Sequence, residues 1–461
     1  MKNKKSEKNV RKIFSVMLLV FFTAPTPSQT HPAISFQTHQ DNTSRIGMQE
    51  EKYSVEALQE DFLQFRKHIE EVHPIPYEFT SKESFDRAFQ TRYEKIRKPM
   101  SLRDFYNLLA PLKAKIGCGH AHLDYPGEYR RTVQNHKFPL ILKVLDNKCY
   151  IERDLNANST LPLYSEILSI DEIGIESIMD TLRSEISADG HNRHFKTSAL
   201  ETCFQYYYAN HYGVPEEFRI EYRRNENGDI REAVVPAIPC TGINYSNKEP
   251  KDLDIHIFPE KNTALLTIGS FNYYEEKNKI FFAFVDEAFS RIDEENIGNV
   301  IIDLRGNGGG DPFCASYLWS YIESEPYPYF SKPYGKYAEL SKPIKLADNP
   351  FTGKLYFLTD GSNFSTTGHF CSLVRYHDLG IFIGTETGST YTCNASVRVF
   401  PLKNTGIGLK IATGSFAAAV SGFPKDRGII PHHVVETTIE DLKNGKDTVS
   451  DYTLELIQSG K

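Results

Sequence analysis

An α/β fold is what this sequence predicts, and three observations carry it. From about residue 252 onward, long apolar strands alternate with amphipathic helices; a β-rich stretch with hairpin signals precedes them; and a run of three helical patterns precedes that. A chain of 461 residues, 40% hydrophobic, has room for roughly two to four domains with substantial cores. Its charge narrows the partners. Lys and Arg total 53 against 60 Asp and Glu, a net charge of −7, which gives no electrostatic hold on nucleic acid or anionic lipid.

Residues 1–28 read as an export signal. Lys2, Lys4, Lys5, Lys8, Arg11 and Lys12 precede the apolar run 13–24, which is too short to span a bilayer. Thr26 and Ser28 put small residues three and one positions before a cut preceding Gln29, and no cysteine stands there to take a lipid. Losing the signal's +5 takes the net charge from −7 to −12. The expected location is periplasmic or secreted in a bacterium, with no integral membrane segment after signal removal. A polar linker, 29–49, follows.

The N-terminal helical region, 50–134, opens on Leu58, Phe62, Phe65, Ile69 and Val72, spaced three and four apart until Pro74 stops the pattern. Thr80 with Glu83 makes a capping box for a second helix carrying Phe85, Phe89 and Ile96. Ser101 with Asp104 makes one for a third, carrying Phe105, Leu109, Leu112 and Ile116 and ended by Gly117. The β-rich region, 135–247, has hairpin signals at Asp146-Asn147 and Asn227-Gly228, with one helical segment over 175–182. In the α/β core, 248–461, a strand over 264–268, an amphipathic helix bearing Phe281, Phe284, Val285, Ala288, Phe289 and Ile292, and a buried strand over 300–304 make one β-α-β unit. A second unit comprises 355–358, a helix around 370–375, and 381–383.

Seven cysteines are too few for a disulfide scaffold in a chain this long. Cys118, His120 and His122 alternate, which on a strand would set all three on one face as metal ligands stand, but no fourth ligand is evident. His68, Glu71 and His73 lack the four-residue histidine spacing of a helical zinc site. Neither a metal nor a cofactor is expected.

Chemistry concentrates in three loops. The run Asp303-Leu304-Arg305-Gly306-Asn307-Gly308-Gly309-Gly310-Asp311-Pro312 lies between a buried strand and a helix that Asp311 caps and Pro312 opens. Its glycines let backbone N–H groups approach a ligand, and the helix terminus favours negative charge, so the loop suits an anion. Asp311 stands where a dinucleotide-binding loop needs glycine, whereas a tetrahedral oxyanion makes no such demand. A second loop, Thr359 to Phe370, holds Ser365 before a helix, and a third is Gly119-His120-Ala121-His122-Leu123. Ser365 alone could be only a helix cap; with the other two loops it completes a nucleophile, a base and an oxyanion hole.

With these motifs in this order the chain resembles the C-terminal-processing (tail-specific) serine peptidase family. Gly117-Cys118-Gly119-His120-Ala121-His122-Leu123 is similar to its "G-x-GH-[TA]-x-L" segment, and 302–310 to its "DLR-x-NGGG" loop. The resemblance spans most of the chain after the signal and implies a crotonase/ClpP-like β-α-β core. It implies Ser365 as nucleophile, three residues before Gly368 at the helix opening, and the backbone amides of Gly308 or Gly309 and of Thr366 as the oxyanion hole. Bacterial members pair the serine with a lysine, where this chain has Thr390, so the tricorn-like branch with a histidine base fits better. That implies His120, with His122 as fallback, and an acid near the C-terminal motif. The motif here reads Asp426-Arg427-Gly428-Ile429-Ile430-Pro431-His432 and lacks its final Asp, leaving Asp426 as the nearest candidate. The segment Ser165 to Asp171 is loosely similar to a strand of PDZ-like domains. The implied activity is peptide-bond hydrolysis on protein or peptide substrates. The alternative is a non-catalytic ligand- or lipid-binding protein on the same fold, and no oligomeric state follows from the sequence.

Overall fold

Separate hydrophobic cores organise the molecule. The computed structural model describes residues 51–133, 135–156, 161–240 and 252–460; the expected signal and polar linker lie outside the described residues. The helical core is built as its periodicity requires. The Val55–Val72 helix starts where the Ser54 hydroxyl accepts the Ala57 N–H, and it buries Leu58, Phe62, Phe65 and Ile69. The Leu102–Lys115 helix starts at Ser101, whose hydroxyl accepts the Asp104 N–H at 3.1 Å. Between them, Lys82–Tyr93 is capped one residue later than its signal: Ser81 rather than Thr80 accepts the Ser84 N–H. Adjacent hydroxyls leave that ambiguity in any sequence.

The middle region folds as one antiparallel sheet ordered Arg231–Pro236, Glu217–Arg223, Glu166–Ile170, Lys148–Asp154 and Leu140–Leu145. Asp146 and Asn147 make the expected tight hairpin turn with φ of 49° and 62°. Two helices cover this sheet where the sequence signals one. Ile175–Glu185 is the expected helix; Arg193–Tyr212 is a second, rich in aromatics that favour strands in isolation. Leu200, Phe204 and Tyr208, four apart, bury one face of it against the sheet core, so tertiary packing overrides the local preference.

The α/β core is a six-stranded sheet in the order Leu253–Phe258, Thr263–Ile268, Asn299–Asp303, Lys354–Thr359, Ile381–Gly384 and His433–Val434. The first pair is antiparallel and every later pair parallel. Helices Asn278–Glu294, Pro312–Ser320 and Thr366–Tyr376 follow the second, third and fourth strands, as crossovers between parallel strands require.

A long hairpin, Thr392–Pro401 with Gly408–Ala417, joins these regions. The short strand His122–Asp124 pairs with it, Leu123 opposite Leu409 and His122 opposite Lys410. Leu402, Ile407, Leu409 and Ile411 then sink into the helical core. The pairing delivers the segment before His122 to the loops that follow the parallel strands.

Candidate active site

The Lys354–Thr359 strand ends in a loop locked to the glycine-rich loop beside it. Asp360 accepts the N–H groups of Gly306 and Ser362, and the Asn363 side chain donates to the Leu304 carbonyl. Held this way, Ser365 adopts φ 56° and ψ −121° immediately before the Thr366–Tyr376 helix. The helix therefore opens at Thr366, two residues earlier than Gly368. A non-glycine residue at positive φ costs on the order of 1–3 kcal/mol and persists only where its surroundings impose it. The serine is not a cap, since its side chain makes no capping hydrogen bond. Its hydroxyl instead reaches the Cys393 thiol, whose pKa burial raises well above the ordinary value.

Gly309 lies against this turn at φ 102°; a Cβ there would stand 2.7 Å from the Phe364 carbonyl oxygen and 3.1 Å from the Thr366 nitrogen. Only glycine permits that approach. The two loops are tied further by Thr366 Oγ1 donating to the Gly310 carbonyl and Thr367 Oγ1 to Asn307 Oδ1, each at 2.7 Å. Of the amides implicated by sequence, that of Gly309 donates to Asn307 Oδ1 at 2.9 Å. Those of Gly308 and Thr366 take part in none of the hydrogen bonds among the described residues.

His120 sits in a turn closed by the Ala121 N–H on the Cys118 carbonyl, ahead of the strand rather than within it. Cys118, His120 and His122 thus do not share one strand face. The His120 ring, 5% exposed, packs 4.6 Å from the ring of Phe364, the neighbour of Ser365. Burial pushes its pKa down to about 4, which the Asn394 backbone partly offsets. A second imidazole, which the sequence did not offer as a base, is His369, one helical turn after Ser365. It is buried, its ring nitrogens have no hydrogen-bond partner among the described residues, and burial and then His120 lower its pKa to about 3.

His122 is half-buried, and its pKa is lowered well below the ordinary value by burial and then by Lys113 and Lys410. A base that must become a cation is poorly placed between two cations. Thr390 is fully buried, and its backbone packs against the helix, its carbonyl 2.9 Å from where a Gly368 Cβ would stand. Asp426 meets the site through its main chain: its carbonyl accepts the His191 N–H at 2.9 Å and its Cα covers Gly190, while its side chain is exposed.

The carboxyl that does enter the site is Asp189, which no motif marked. Its Oδ1 accepts the Gly119 N–H at 2.8 Å, it is 4% exposed, and burial pushes its pKa up to about 7. It lines a cavity of ≈ 250 Å³ with Tyr334, Cys393, Asn394, Phe416 and Lys425. A larger cavity of ≈ 820 Å³ opens at the carboxyl ends of the parallel strands, near Asp303, Arg305 and Thr359, but neither Ser365 nor His120 lines it. Neither residue lines the smaller one either, but it touches Cys393, whose thiol the Ser365 hydroxyl reaches.

A serine held at the head of a helix, uncommitted backbone amides beside it and a buried imidazole are the parts a serine-type hydrolase uses. Residues 262–435 match the model of peptidase family S41. That match covers the α/β core and supports a serine-type peptidase. Among solved structures it is similar to mature CPAF, at 15% identity over 87% of this chain and 96% of that one, with a TM-score of 0.64. A mutant of CPAF matches at 13% identity, 87% and 96% coverage and a TM-score of 0.65. At these identities the likeness speaks for the fold. No curated protein matches the chain in sequence.

Proposed function

We propose that this protein is an exported serine peptidase that hydrolyses peptide bonds of protein or peptide substrates through an acyl-enzyme. Ser365 Oγ attacks the scissile carbonyl while His120 takes its proton and returns it to the leaving amine; water then repeats the sequence on the acyl-enzyme. The oxyanion falls to the amides of Gly308 and Thr366, with Gly309 holding the two loops at contact distance. The observation that carries this reading is the enforced positive φ of Ser365, 56°, directly beside the Phe364–His120 ring contact.

The test is replacement of Ser365. S365A should lose turnover of an unstructured protein and labelling by a fluorophosphonate, and melt as the wild type does. Unchanged turnover overturns the assignment. Ligand retention by a wild type that neither labels nor cleaves favours the binding-protein alternative. Export is tested separately: N-terminal sequencing of the secreted or periplasmic form should begin near Gln29.

A further inference from the structure

The His120 base, as read above, has an unmet electrical need. It is buried, so the imidazolium formed when it takes the Ser365 proton is costly unless an anion lies near. The carboxyl implicated by sequence, Asp426, has its side chain in solvent. We infer that Asp189, contributed by the middle region, is the positioning residue of this site, holding the Cys118–Gly119 peptide next to His120 in place and supplying the negative charge that stabilises the His120 imidazolium.

Three structural facts support this. Asp189 Oδ1 receives the Gly119 N–H, one peptide from His120, at 2.8 Å. A Cβ on Gly119 would lie 2.6 Å from the Phe364 ring and 3.2 Å from Asp189 Oδ1, so this peptide is clamped between the carboxyl and the residue preceding the nucleophile. Oδ2 of Asp189 has no hydrogen-bond partner among the described residues, although the side chain is 4% exposed and borders the cleft. A buried carboxyl left half-used is costly and calls for an explanation; a charge required only while the imidazole is protonated provides one. The segment is also fixed from both sides, by the Gly190 N–H on the Gly117 carbonyl and the His191 N–H on the Asp426 carbonyl, both at 2.9 Å.

The groups facing Asp189 are Glu78, Cys118 and Cys393, with Lys332 and Lys425 elsewhere on the cleft wall; Lys425 is engaged by Glu78 at 3.0 Å. Catalysis then requires Asp189 ionised and His120 neutral. Below neutrality Asp189 takes up a proton, so kcat/KM should fall with an apparent pKa near 7, set by the carboxyl rather than by His120 at about 4.

The inference rests on the Ser365–His120 reading, and the experiment separates the two. The amide oxygen of D189N still accepts the Gly119 N–H but carries no charge. Its kcat/KM on an unstructured protein, followed from pH 4.5 to 9, should drop on the order of 10²-fold at the plateau. Its acidic limb should move from near 7 to below 5, KM should stay within about twofold, and the melting temperature should not fall. A limb left near 7, a plateau equal to wild type, or a D189N that melts well below wild type each overturns the inference, the last because the role is then structural. H120A and S365A are measured alongside. If they are inactive while D189N is normal, the dyad stands and only Asp189 is displaced; if they are active, the dyad itself is wrong.

Discussion

The two halves of the proposed active site are made in different ways. The proposed nucleophile and oxyanion amides sit on loops that end neighbouring parallel strands, Asn299–Asp303 and Lys354–Thr359, whose pairing is part of the sheet itself. His120 and Asp189 come from elsewhere: the first rides on the turn before the His122–Asp124 strand and packs on Phe364, the second sits on a loop of the middle region and holds the Gly119 N–H, all through long-range contacts. One half is therefore fixed by the crossover topology, and the other depends on how separate cores dock.

The largest effect expected within the first half comes from G309A. Its Cβ would meet the Phe364 carbonyl at 2.7 Å and displace the Thr366 amide, 3.1 Å away, at a backbone φ of 102° that alanine resists. Loss of a properly placed oxyanion donor costs about 10²–10³ in kcat. G309A should lose that much with little change in KM, and a wild-type kcat would show that these loops tolerate separation.

A smaller effect, on stability, concerns the helix that follows Ser365. His369 is held neutral by burial with its pKa near 3, whereas the unfolded chain protonates it below about 6.5. A depressed folded-state pKa means that stability is present above 6.5 and lost as pH falls toward 3. H369L removes this proton uptake on unfolding. Its stability relative to wild type should therefore rise by up to about 1.4 kcal/mol per pH unit between pH 6.5 and 4, measured by urea titration. A pH-independent difference would mean that the imidazole is not buried neutral.

The smallest effect is expected from D426N. Asp426 contacts the second half through its carbonyl and Cα, and its side chain is exposed. Kinetics within about twofold of wild type are expected, because exposed charges contribute little. A loss of tenfold or more would return the orienting role to this carboxylate.

What could be read from sequence follows the same division. The crossover strands, their helices and the loops around Gly308 and Ser365 announce themselves by local signals: apolar runs, glycines and caps within a few residues of one another. The hairpin Thr392–Pro401 with Gly408–Ala417 gave no such warning, since its inner positions alternate weakly and it pairs with a strand nearly three hundred residues away. Arg193–Tyr212 escaped because its aromatics favour strands until the sheet beneath is present. Asp189 could not have been singled out, because Ser187-Ala188-Asp189-Gly190 is an ordinary turn sequence, and only burial and the Gly119 bond distinguish it. The titration of His120 is equally hidden: an imidazole whose ordinary pKa is about 6.5 is pushed to about 4 by a burial that sequence does not display.

The loop from Gly190 to Asn192 bears on how such a peptidase can change. Its bonds reach the Gly117 carbonyl, the Asp426 carbonyl and, through Asn192 Nδ2 at 2.8 Å, the Thr387 carbonyl, so one short segment of the middle region touches three separate parts of the peptidase machinery. The middle region is thus not a detachable module. A chimera that kept the α/β core of this chain and took its middle region from a relative would inherit an intact nucleophile with an ill-seated base. Exchange between relatives should succeed only when this loop travels with the core.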